Sequence, residues 1–147
     1  MSRFVFRLEK VLRYREHIEK DARQKLRRAR EVCASKERAL MDVNLKRNLA
    51  AKRCAGEEDQ GIEVATYHLY RTFIEHLSGE LEAASQRLQG AKEEVRAMEK
   101  AWLKASSNKK SLENLKERQF LAHKETQERE DQKLLDELVI LRRGQLT

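Results

Sequence analysis

The residues of this chain best suited to acid–base or metal chemistry are His17, His68, His76 and His123. No two stand three or four residues apart, the spacing that sets two imidazoles on one helical face around an ion. His68 and His76, eight positions apart, are too distant to share one. There is no glycine-rich phosphate loop and no serine or cysteine nucleophile motif. Carboxylates are plentiful, but catalysis needs a concave site that excludes water, and the pattern below leaves them solvated. No enzymatic activity, metal or cofactor is expected.

Cys33 and Cys54 lie 21 residues apart, about 31 Å along one helix. A disulfide needs Cα atoms within about 7 Å, so the two thiols serve as small apolar packing groups. Arg23, Lys25, Arg27, Arg28 and Arg30 form a dense basic run in a chain with a pI of about 9.5. A basic helix ahead of a zipper could enter a major groove. Ala22, Leu26, Ala29 and Cys33, however, thread an apolar stripe through the same turns, and no aromatic residues interleave for base stacking. The run is therefore a solvated face or a surface for an acidic partner. Nucleic acid is not an expected partner; any such binding would be salt-sensitive and independent of sequence. The excess of positive charge is concentrated early: residues 1–55 hold 17 Lys and Arg against 7 Asp and Glu, and residues 56–147 hold 15 against 18. A basic first arm beside a mildly acidic second arm favours pairing of the two.

The elements that carry these residues follow from a heptad pattern. Tyr67, Tyr70, Ile74, Leu77, Leu81, Ala84, Leu88, Ala91, Val95, Met98, Trp102 and Ala105 alternate spacings of three and four without a slip. So narrow an apolar seam requires another helix packed along it. The chain has no proline, 39% charged residues and 5% aromatics, a mixture that fits long helices rather than a compact core. No run approaches the roughly 20 apolar residues needed to span a bilayer. Arg3, Arg7, Glu9 and Lys10 interrupt the N-terminal apolar residues, leaving no signal-peptide core. A cytosolic location is expected.

The first arm offers three neighbouring heptad rows: Leu8, Arg15, Ala22, Ala29, Lys36, Val43, Ala50; then Val11, Ile18, Lys25, Val32, Ala39, Lys46; then Leu12, Glu19, Leu26, Cys33, Leu40, Arg47, Cys54. Gly56 to Gly61 breaks the pattern, with Gly56 as the C-terminal stop of the first helix. The expected fold is all-α, a single domain over 1–147 made of an antiparallel coiled-coil hairpin. Its first helix spans about 4–55, its loop about 56–61 and its second helix about 62–143. Near Ser106-Ser107-Asn108 the register falters, and Leu112 and Leu115 resume in a shifted frame, as in a stutter or across a short loop. At 1.5 Å per residue the helices measure about 70 and 120 Å, so the second must overhang. Its unpaired part, from about Lys116 to Leu146, is polar with an apolar tip at Leu134, Leu135, Leu138, Val139, Ile140 and Leu141. An uncovered tip of that kind is a docking element.

Phe4-Val5-Phe6-Arg7-Leu8-Glu9-Lys10-Val11-Leu12-Arg13-Tyr14-Arg15-Glu16 resembles the opening of the FliJ family, the small soluble component of bacterial flagellar export. Tyr70-Arg71-Thr72-Phe73-Ile74-Glu75-His76-Leu77 is similar to the start of that family's second helix, and Lys100-Ala101-Trp102 and Leu115-Lys116-Glu117-Arg118-Gln119 fit further on. Arg129, Asp131, Gln132, Lys133, Asp136 and Glu137, within Arg129–Glu137, resemble the family's C-terminal signature.

The resemblance implies a stalk for the hexameric flagellar export ATPase (FliI type), with the paired chain ends entering its ring. It also implies contacts with the export gate protein FlhA and with export chaperones, at the inner face of the membrane beneath the flagellum. Phe73 and Leu77 match the gate-binding part of the second helix, while Val43, Lys46 and Ala50 stand where some relatives carry larger residues. Phe4, Phe6, Leu8 and Leu12, with Leu134, Leu138 and Leu141, are the ATPase-facing candidates. The stalk of a related injectisome and a general coiled-coil adaptor are the alternatives.

Overall fold

A computed structural model of the chain describes residues 2–146, and the side chains of residues 2–145. Two helices form the fold: α1, Glu9–Gln60, and α2, Val64–Leu146, with no strand among the described residues. The second is longer, 83 residues against 52. Met1 and Thr147, the ends of the expected domain, lie outside the described residues.

The chain packs as two units, Met1–Lys20 with Leu103–Thr147, and Asp21–Trp102. Within the second unit Arg30 meets Glu99 and Glu57 meets Tyr70. Going from 30 to 57 on α1 thus corresponds to going from 99 back to 70 on α2, an antiparallel pairing. Within the first unit Glu19 meets Lys109 and Glu9 meets Lys116, again antiparallel.

All twelve residues of the α2 seam are buried or half-buried. On α1 the facing positions are Leu12, Arg15, Glu19, Ala22, Leu26, Ala29, Cys33, Lys36, Leu40, Val43, Arg47, Ala50 and Cys54, each buried or half-buried. They combine the first and third heptad rows in an unbroken three–four alternation. The middle row turns outward: Val11, Lys25, Val32, Ala39 and Lys46 are exposed, and Ile18 alone is half-buried. One facing helix covers a seam only two rows wide. Leu12, Leu26, Leu77 and Leu88 are buried, and side chains of that size contribute about 1.5–3 kcal/mol each; the alanines bring the helices close.

Four boundaries differ from expectation. The first helix starts at Glu9 rather than near residue 4. Residues 2–6 have no regular structure, because Phe6 is drawn into the core and Phe4 onto Phe120. The amide of Leu12 donates to the Leu8 carbonyl at 2.9 Å, and Glu9 in the first turn suits the positive helix end. At the other end α1 runs through Gly56 to Gln60, and the stop is Gly61. Its φ of 90° lies in the left-handed region, and its amide donates to the Glu58 carbonyl at 3.2 Å. The connection is thus residues 61–63 instead of 56–61.

There is also no loop at Ser106–Asn108: α2 is continuous. The three–four frame continues through Lys109, Leu112 and Lys116, all half-buried, so the frame holds where its apolar character lapses. Finally, Lys116 is covered, with its Nζ 2.9 Å from Oε2 of Glu9. The N-terminal segment carries the cover further, as His123 and Gln127 bond to Ser2. Only from Glu128 onward is every described side chain exposed.

Candidate functional site

The N-terminal candidates are taken up by their own unit. Phe6 and Leu12 are buried, at 5% and 3% exposure. Phe4 is half-buried, its ring edge-on to Phe120 with centroids 5.4 Å apart and 5.6 Å from His123. Such an aromatic contact adds about 0.5–1.5 kcal/mol beyond area burial. Gln127 donates to the Ser2 hydroxyl at 2.5 Å, and the His123 ring nitrogen lies 3.2 Å from the Ser2 carbonyl. Leu8 stays at the margin, 37% exposed.

Leu134, Leu138 and Leu141 are not brought together with this set. They are 57–64% exposed on the uncovered end of α2, beside Leu135, Val139 and Ile140. Arg129, Asp131, Gln132, Lys133, Asp136 and Glu137 share this exposed stretch. One contact among them is internal to the helix, from Gln132 Nε2 to Asp136 Oδ1 at 3.1 Å, the i,i+4 pairing open to polar side chains there. Clustered leucines on a helix without a facing partner form an apolar patch of the kind that marks a binding surface.

Phe73 and Leu77 separate sharply. Leu77 is a core residue at 3% exposure, whereas Phe73 is half exposed. Phe73 borders a shallow groove with Thr66, Leu69 and Tyr70. Leu69, exposed and four residues before Phe73, belongs to this face; its place off the seam frame was the available signal. The groove is anchored by Tyr70, whose hydroxyl donates to Glu57 Oε1 at 2.9 Å. That bond, burial and the carboxylate's charge raise the phenol above its ordinary range. Nearby, Cys54 is buried with its Sγ 3.8 Å from Glu58 Oε1. Burial, then the Glu58 carboxylate, raises the thiol pKa, which keeps it protonated and unreactive.

The basic run is largely paired. Lys25 reaches Asp21 at 3.1 Å, Arg27 reaches Glu31 at 3.7 Å, and Arg30 crosses to Glu99 at 3.5 Å. Exposed pairs of this kind are worth at most about 1 kcal/mol each. His76 sits 3.1 Å from Glu80 on the same helix. Among the described residues no group of His, Cys, Asp and Glu is arranged to hold a metal ion, and no helix is long and apolar enough to cross a membrane.

No curated protein and no solved structure matches the chain. A family model described as Flagellar FliJ protein matches residues 4–145, and so spans both helices, the Phe73 face and the exposed leucines. The chain belongs to the FliJ family.

Proposed function

We propose that this chain, a FliJ-family component of the flagellar export apparatus, acts as the stalk of the hexameric export ATPase. The uncovered end of α2 docks in the ATPase ring through Leu134, Leu138 and Leu141. The Phe73 face meets the gate protein FlhA, and export chaperones are further partners. Coupling is conformational: the protein links ATPase to gate, and the ATPase performs the chemistry. Its place of work is the cytoplasmic side of the membrane beneath the flagellum.

The observation that carries this reading is the contrast along α2. Its seam is covered from Tyr67 through Ala105, yet every described side chain of its leucine-rich end is exposed. Leaving six large apolar side chains half exposed or more is unfavourable in water, and the cost is recovered when a partner buries them. The test is the affinity of the cognate export ATPase for Leu138→Asp, Leu141→Asp. A loss of about tenfold or more is expected, since each buried leucine is worth about 1.5–3 kcal/mol. Both positions are exposed, so the variant is expected to keep its fold, and an affinity equal to wild type would refute end docking.

A further inference from the structure

Along the exposed end of α2, Asp131, Leu135, Leu138 and Arg142 recur at intervals of four, three and four. That is the spacing of one helical seam, and all four side chains are exposed. Leu134 and Leu141 flank the line on one side and Val139 on the other. The order is acid, leucine, leucine, base. Inverted, it is its own complement. Laid antiparallel on a second copy, the line sets Asp131 against the second copy's Arg142, and Leu135 against the second copy's Leu138. The two-fold axis then repeats both contacts. Laid parallel, the same line sets acid on acid and base on base.

We propose that the C-terminal part of α2 pairs antiparallel with the same part of a second copy of this chain, through the Asp131–Leu135–Leu138–Arg142 line. A contact in which each patch meets its own equivalent is the geometry of a closed two-fold dimer. Leucines at the centre supply burial, and a charge pair at each end fixes direction and register. The line is short, about 16 Å from Asp131 to Arg142 at 1.5 Å per residue. The dimer therefore belongs to the weak, reversible class, with dissociation in roughly the micromolar to hundred-micromolar range.

This pairing does not rest on the ATPase proposal and is measured on the chain alone. It covers Leu138 and Leu141, however, so self-pairing and docking through those residues exclude each other. Above its dissociation constant the free protein holds its apolar end covered until a partner displaces the second copy.

The experiment is sedimentation equilibrium of the full chain from about 1 µM to about 1 mM. Wild type is expected to move from monomer to dimer as concentration rises. Asp131→Arg or Arg142→Asp alone turns both end contacts repulsive and is expected to raise the dissociation constant about tenfold or more. The double variant Asp131→Arg, Arg142→Asp restores opposite charges and the wild-type constant. Circular dichroism is expected to show equal helicity throughout, which separates loss of pairing from loss of fold. A wild type that stays monomeric up to about 1 mM, single variants that dimerise as wild type does, or a double variant that fails to recover would each overturn the proposal.

Discussion

Lys109 Nζ lies 3.9 Å from Oε2 of Glu19 and 3.8 Å from Oε1 of Glu113, which makes Glu19 and Lys109 a polar rung across the helix seam. The Glu19 side chain is 6% exposed and that of Lys109 27%. Removing one member leaves the other poorly solvated, whereas replacing both with apolar groups removes the desolvation cost altogether. Glu19→Ala is expected to lower stability by about 1–2 kcal/mol. Glu19→Leu with Lys109→Leu is expected to be at least as stable as wild type. Urea titrations followed by circular dichroism measure both, and a double variant less stable than the single one would contradict this account.

The turn makes a second test. Gly61 holds a φ of 90°, while Gly56 is helical, with nothing within 4 Å of where a Cβ would stand. Gly61→Ala should therefore cost about 1–2 kcal/mol. Gly56→Ala should stabilise the chain by about 0.5–1 kcal/mol. Opposite signs in thermal unfolding would move the helix stop back to Gly56.

Alkaline pH should loosen the turn end of the Asp21–Trp102 unit. The Tyr70 phenol is raised chiefly by its bond to Glu57, and the Cys54 thiol chiefly by burial. Both folded values lie above the unfolded ones, so the folded chain holds these protons longer. The stability they contribute is present at neutral pH. It falls as pH rises from the ordinary thiol and phenol range, about 8.5 to 10, through the raised values. Thermal unfolding between pH 7 and 11, roughly the interval bracketing those groups, should show the decline. Tyr70→Phe with Cys54→Ala should flatten it.

Phe73 and Leu77 should part company under substitution. Leu77→Ala empties a core position and is expected to cost about 2–4 kcal/mol of stability. Phe73→Ala removes a half-exposed ring and should change stability by less than about 1 kcal/mol. If the Phe73 face meets the gate, the same variant should lower affinity for the FlhA cytoplasmic domain about tenfold. Unchanged affinity in a binding titration would remove that role.

The long apolar seam was legible because twelve residues in one frame admit a single explanation, and every one of them is covered. The matching face of α1 was not, since Lys36, Arg47 and Glu19 on the seam look no different from Lys25 and Lys46 off it. Only the facing helix separates those rows. At Ser106–Asn108 the apolar character lapses while the three–four frame runs on. Lys109 and Lys116 keep the frame and are neutralised by Glu19 and Glu9 on the opposite helix. Gly56 and Gly61 are equivalent as letters; backbone conformation chose the second. The leucine-rich end was visible as composition, but where cover stops depended on Ser2 reaching His123 and Gln127. No local pattern predicts that contact.

Engagement of the export ATPase by the exposed end of α2 is the step on which the proposed stalk role depends. ATP hydrolysis by the cognate ATPase, titrated with the full chain while the size of the ATPase is followed, tests it most directly. Stimulated hydrolysis with a shift from monomer toward hexamer is the predicted result. No stimulation and no complex, with both proteins folded, would contradict the stalk reading.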